Sequence, residues 1–180
     1  MKATGIVRRI DELGRIVIPK EIRRTLRIRE GDPLEIYTDR EGGIILKKYS
    51  PIGELAAFAQ DFAEALSSTL GMTAVISDRD TVLAASGDNK RDYYERPVSS
   101  ALEEIINART VQRKDGANTI PLVSGEDAAL TSAQVIAPIS MEGQPIGAVA
   151  IVSRGAGVIG EAEQKAAESA AVFLGRQMAQ

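Results

Sequence analysis

Residues 3–26 read Ala-Thr-Gly-Ile-Val-Arg-Arg-Ile-Asp-Glu-Leu-Gly-Arg-Ile-Val-Ile-Pro-Lys-Glu-Ile-Arg-Arg-Thr-Leu. Two short apolar runs, Ile6-Val7 and Ile16-Val17-Ile18, flank Asp11-Glu12-Leu13-Gly14, and this spacing predicts two short strands bounded by a turn. Pro19 stands where the first position of a helix would be, and Lys20 to Arg27 predicts about two helical turns. Arg8, Arg9, Arg15, Arg23 and Arg24 are thereby carried on a strand end, a turn and a short helix. That is a rigid presentation of guanidinium groups, suited to phosphates or base edges. The competing reading of the same charges is an ordinary solvated face, with some of the arginines only pairing Asp11, Glu12 and Glu21.

Working outward, Gly31-Asp32-Pro33 is a turn signal. Leu34-Glu35-Ile36-Tyr37 alternates apolar and polar as a half-buried strand does, and Ile44 to Tyr49 returns after the hairpin turn 39–43. Two hairpins and a short helix make a unit whose core is marginal at about 40–60 residues without disulfides, metal or oligomerisation. The chain has no cysteine and no histidine, which removes disulfides, thiolate metal sites and the commonest metal ligand. The segment is therefore expected to fold as a dimer, with edge strands of two hairpins pairing across two chains.

Ser50-Pro51 marks a boundary, giving a first domain over 1–50, a linker over 51–54 and a second domain over 55–180. Leu55, Phe58, Ala59, Phe62, Leu66 and Leu70 recur at helical spacing up to a stop at Gly71. Strands are expected over 73–77 and 81–85, about Val111, over 134–139 and over 146–152, the last apolar enough to be covered on both faces. Ser99 or Ser100 would cap a helix over 101–108. Residues 114–133 read as loop, and an alanine-rich helix is expected from Glu161 to Ala179. Leu55, Phe58 and Phe62 with Ala166, Ala170 and Phe173 are the candidate face for an intersubunit helix bundle, although a core position is the more usual fate of such a stripe.

The whole chain has 180 residues, 22 Lys+Arg and 25 Asp+Glu, a net charge of −3. Residues 1–50 carry 12 basic against 8 acidic residues, or +4, so the other 130 carry −7. A basic head on an acidic body suggests one segment facing a polyanion. There is no run of about 18 apolar residues and no signal-peptide pattern at the N-terminus, so a cytoplasmic protein with no membrane partner is expected.

Residues 3–49 resemble the AbrB family of transition-state regulators. The likeness is carried by Thr-Gly-Ile-Val-Arg-Arg at 4–9, Asp-Glu-Leu-Gly-Arg-Ile-Val-Ile-Pro at 11–19, Glu-Ile-Arg-Arg-Thr-Leu at 21–26, Leu-Glu-Ile-Tyr at 34–37 and Ile-Ile-Leu-Lys-Lys-Tyr at 44–49. It implies a swapped-hairpin β-barrel that is dimeric, with Arg8, Arg15, Arg23 and Arg24 contacting double-stranded, A/T-rich DNA and Arg9 at a further basic position. Residues 55–180 resemble a GAF domain through Val-Ile-Ser-Asp-Arg-Asp-Thr-Val-Leu-Ala-Ala-Ser-Gly at 75–87 and Ala-Pro-Ile-Ser-Met-Glu-Gly-Gln-Pro-Ile-Gly-Ala-Val-Ala-Ile at 137–151.

The fold class expected is thus α+β, an AbrB-like barrel followed by a GAF-like α/β sandwich. The pairing implies a transcriptional regulator, activator and repressor, of sporulation-stage genes, associated with the nucleoid and tetrameric through residues 55–180. No enzyme is expected: without cysteine there is no GAF-type sulfoxide reductase and no bilin attachment, and without histidine no haem ligation through it. An unidentified small-molecule ligand, with a pocket between the sheet and residues 86–133, stays open beside a purely oligomerising role. An antitoxin with an AbrB-like head and a nucleoid-type architectural protein stay open as well, although such antitoxins usually carry a flexible tail where this chain reads as a folded domain.

Overall fold

The computed structural model describes residues 5–50 and 56–177, and the chain divides into two compact units, Met1–Tyr49 and Ser50–Gln180. The expected linker over 51–54, Leu55 and residues 178–180, with the expected end of the C-terminal helix at Ala179, lie outside the described residues.

In the first unit, helix α1 (Lys20–Thr25) begins directly after Pro19, whose φ of −57° suits a helix entry. Strands β1 (Leu34–Thr38) and β2 (Ile44–Lys48) form an antiparallel hairpin with Leu34 opposite Lys48 and Thr38 opposite Ile44. The Asp39 carboxylate closes its turn by accepting the N–H groups of Glu41 and Gly43. The runs Ile6-Val7 and Ile16–Ile18, expected as strands, pair with no strand among the described residues of the single chain. Pro19 is the one buried residue among residues 5–50. Val7, Leu13, Val17, Ile36 and Ile44 are each two-thirds or more exposed.

The second unit is a five-stranded antiparallel sheet in the order β4-β3-β7-β6-β5. Its strands are β3 (Thr73–Asp78), β4 (Val82–Ser86), β5 (Gln112–Asp115), β6 (Ala133–Met141) and β7 (Gln144–Ser153). Helices α2 (Ala56–Leu70) and α4 (Glu161–Gln177) cover one face and α3 (Ser100–Ala108) with its neighbouring loops the other. Strand alternation divides the core accordingly. Ala74, Ile76, Val149 and Ile151 join the α2/α4 side, while Val75, Ala148, Ala150 and Val152 join the α3 side. Both faces of β7 are therefore covered, as its unbroken apolar run requires. Ser99 caps α3, its Oγ accepting the Leu102 N–H at 3.0 Å.

Two details depart from the sequence reading. β5 starts at Gln112, and Val111 is left partly exposed. Ala170, expected on an intersubunit face, is 2% exposed and packs into the unit's own core with Ala167, Ala171 and Leu174. In an alanine-rich helix the small side chains that allow close approach are the ones laid against the sheet.

Candidate nucleic-acid interface

The basic residues of the first unit sit on three separate segments. Arg8 and Arg9 lie on the arm entering the turn and are exposed; Arg8 donates from Nη1 to the Val7 carbonyl. Arg15 lies at the turn exit, its side chain 71% exposed. Arg23 and Arg24 occupy the last turn of α1, where a cation suits the helix dipole. No hydrogen bond or ion pair joins the three segments among the described residues.

The turn itself is built by Asp11. Its backbone N–H donates to the Arg15 carbonyl at 3.0 Å, and its own carbonyl accepts from Gly14 N–H at 3.0 Å. Its carboxylate Oδ1 accepts the N–H groups of Leu13 and Arg15, and Oδ2 accepts Arg15 Nε at 2.7 Å. Gly14, at φ +76°, takes the left-handed conformation that closes the turn. The Asp11 carboxyl is held below its usual range, first by the Arg15 backbone N–H and then by the Arg15 side chain. In the sequence Asp11 registered as the first residue of a turn and as a charge able to pair an arginine. The Asp–Gly–Arg spacing at 11, 14 and 15 was the available signal for its larger part.

Other basic groups of this unit are committed elsewhere. Lys48 Nζ donates to the Arg27 carbonyl at 3.0 Å and pairs with Asp32 at 3.3 Å. Lys47 Nζ lies 4.9 Å from the Tyr37 ring centroid. The side chains of Arg15 at its Nη edge, Arg23 and Arg24 have no such partner among the described residues.

In the second unit the part of the expected pocket region, between the sheet and residues 86–133, that lies under α3 is filled. Val75, Tyr93, Leu102, Ile106, Leu122 and Val123 meet there, each 2% exposed or less. The loops over this face are tied by a polar cluster. Glu126 accepts Tyr93 Oη at 2.8 Å and the N–H groups of Leu122 and Val123. Arg154 reaches Asp92 at 2.5 Å, Tyr93 Oη at 3.1 Å and Glu126 at 3.5 Å. Burial, then the Glu126 charge, raises the Tyr93 pKa well above its usual value, so it stays a neutral donor. An open cleft of about 770 Å³ lies at the end of the sheet, lined by Ser67, Thr73, Asp88, Asn89, Ser153 and Arg154 among others.

Across α2 and α4, Phe58, Phe62 and Phe173 cluster with centroids 5.1–5.8 Å apart, Phe173 stacked on each of the other two rings. Phe58 and Phe173 remain more than a third exposed and Val172 more than half; Ala166 is half-buried beside them. Among the described residues no group of three or more acidic or thiol side chains is placed to hold a metal, and no helix is long and apolar enough to cross a membrane.

Comparison with known proteins follows the same division. Residues 54–179 match the family model described as stage V sporulation protein T C-terminal, transcription factor. Residues 7–54 match the model described as antidote-toxin recognition MazE, bacterial antitoxin. The chain is 54% identical over 180 residues, the full length of both chains, to stage V sporulation protein T of Bacillus subtilis. Over 51 residues, 28% of this chain and 52% of the relative, it is 71% identical to the transition state regulatory protein AbrB of the same organism. The crystal structure of the phycocyanobilin-bound GAF domain from a cyanobacterial phytochrome matches 70% of this chain and 85% of that one, with a TM-score of 0.55 at 17% identity. The second unit thus has the GAF fold. With its C-terminal two-thirds matched by the family model and its whole length aligned to that relative, the chain belongs to the stage V sporulation protein T family of transcription factors.

Proposed function

We propose that the protein is a DNA-binding regulator of sporulation-stage transcription. Its first unit, residues 1–50, pairs with that of a second copy to form one DNA-binding body. Its GAF-fold unit, beyond the linker at 51–54, joins dimers into a tetramer. It acts in the cytoplasm, at the nucleoid, and performs no catalytic step. The observation that carries the reading is the state of the first unit. It presents exposed Val7, Ile10, Val17, Ile36 and Ile44, has Pro19 as its one buried residue among residues 5–50, and carries Arg23 and Arg24 with no side-chain partner among the described residues. A hydrophobic face this large on so small a unit calls for a partner, and a second copy would supply strands for the arms 5–10 and 15–19. The identity of this segment to a transition state regulatory protein points the same way.

Arg8, Arg15, Arg23 and Arg24 are the proposed DNA contacts, with Arg9 adding charge. Arg15→Ala is expected to weaken binding to an A/T-rich duplex about five- to a hundredfold, the range for losing a phosphate contact or a bidentate base contact. Its thermal unfolding should match the wild type. Unchanged affinity in the folded variant would remove Arg15 from the interface.

The tetramer contact is proposed on Phe58, Phe62 and Phe173, with Ala166 beside them and Leu55 preceding them in sequence. Aromatic groups stacked on a helix pair and left partly exposed are the kind of patch that marks an association surface. Phe58→Glu should convert tetramer to dimer in native mass spectrometry, while the unit stays folded because Phe58 is already 37% exposed. A tetramer that survives the charge takes this face out of the assembly. The filled space under α3 leaves no room for a ligand enclosed there, while the cleft lined by Thr73, Asp88, Asn89, Ser153 and Arg154 keeps a small-molecule role beside the scaffold one.

A second reading, an antitoxin, has the match of residues 7–54 on its side. It needs an extended segment to wrap a toxin, whereas the rest of this chain packs around two cores of its own.

A further inference from the structure

We propose that Asp11 is a positioning residue for DNA reading: it clamps Arg15 by its Nε so that the guanidinium offers a single, pre-ordered edge to DNA. The inference rests on the reading of Arg15 as a DNA contact and adds to it the group that aims the side chain. A guanidinium is planar and has two donor edges, one formed by Nε with an Nη and one by the two Nη atoms. Asp11 Oδ2 holds Nε at 2.7 Å. The Nη1–Nη2 edge is thereby left for a partner, and it is a fork able to engage guanine O6 and N7, or two phosphate oxygens, together.

The clamp is anchored independently of Arg15's side chain. Oδ1 of the same carboxylate accepts Leu13 N–H at 3.0 Å and Arg15 N–H at 2.9 Å, so carboxylate, turn and guanidinium form one rigid piece. The pair itself is solvent-exposed at 71% and 42%, where ion pairs add little stability. A bare carboxylate beside the DNA would also repel phosphates. Orientation is the gain that offsets this repulsion: a long side chain that is ordered before binding loses less freedom on binding.

Asp11→Asn separates these contributions. Asparagine keeps an Oδ1 acceptor for the two backbone N–H groups but presents an NH2 where Oδ2 stood, so the turn survives and the Nε bond is lost. Affinity for an A/T-rich and a G/C-rich duplex of equal length is measured for the wild type, Asp11→Asn, Arg15→Ala and the double variant. The expected result is that Asp11→Asn weakens binding to the preferred duplex about three- to tenfold, despite removing a negative charge, and that the double variant binds no more weakly than Arg15→Ala alone. Tighter or unchanged binding by Asp11→Asn would show that the carboxylate is only a nearby charge and overturn the clamp. A loss that persists undiminished in the Arg15→Ala background would assign it to the turn and equally overturn it. If Arg15→Ala itself binds normally, the reading of Arg15 as a contact fails first, a distinct outcome from a clamp that fails while Arg15 matters.

Discussion

Gly175→Ala is expected to destabilise the GAF-fold unit, although the same change in an ordinary helix interior stabilises by about 1 kcal/mol. A Cβ built on Gly175 would lie 2.3 Å from the Ser140 carbonyl oxygen and 3.3 Å from its carbon, with Ile139 Cγ2 at 3.7 Å. The oxygen is backbone, part of β6 where it runs beside Pro145 of β7, so it has no rotamer to escape into. Relief requires α4 to retreat by about an ångström from the sheet, and α4 carries Ala167, Ala170, Ala171 and Leu174 in the same core. Overpacking of this kind costs roughly 1–3 kcal/mol and occasionally more, which outweighs the propensity gain. For a unit of this size the midpoint should fall by several degrees, on the order of 2–8 °C per kcal/mol. Thermal unfolding of the full chain, followed by circular dichroism, decides the sign. A raised midpoint would mean that α4 does not seat against β6 at Gly175.

The glycine illustrates how unevenly the sequence speaks about this molecule. Strands β3 and β7 were legible because their alternating or unbroken apolar runs report burial directly. The cap at Ser99 and the stop at Gly71 were legible because local chemistry specifies them. Glycine within α4 gave no such signal: its reason is a carbonyl on β6, 35 positions away. The loop region 114–133 was opaque for the same reason, since Glu126 is held by Tyr93, 33 residues distant, and such pairings leave no period. Ala170 was misplaced because a helix rich in alanine shows little contrast between faces. For the first unit the apolar pattern at 6–7 and 16–18 was read as strands, and the single chain leaves those residues unpaired. Periodicity reports what a side chain would bury, not which chain supplies the burial. Of the proposed interface, the arginines stood out by type and spacing, while the part of Asp11 became visible only when three donors were seen converging on one carboxylate.

Arg23 and Arg24 should together account for the largest share of DNA affinity. They are adjacent on α1, so their side chains leave the helix about 100° apart and address different groups rather than one. Neither guanidinium has a hydrogen bond or ion pair among the described residues, and Glu21, two and three positions earlier, does not neutralise them. The helix follows Pro19, the one buried residue among residues 5–50, which fixes its base. In a dimer the substitution Arg23→Ala with Arg24→Ala removes four cations. If each meets a phosphate, the dependence of log affinity on log salt flattens by about 0.9 per contact, or roughly 3–4 in all, and affinity near 0.15 M salt falls about a thousandfold from counterion release alone. Fluorescence anisotropy on an A/T-rich duplex across a salt series measures both quantities, and thermal unfolding should be unchanged because Arg24 is exposed and Arg23 half-buried. A flattened slope with weaker binding places α1 on the phosphate backbone. Weaker binding at an unchanged slope would instead put these arginines on base edges, and an unchanged protein in both respects would take α1 off the DNA and leave the turn at Arg15 to carry the interface.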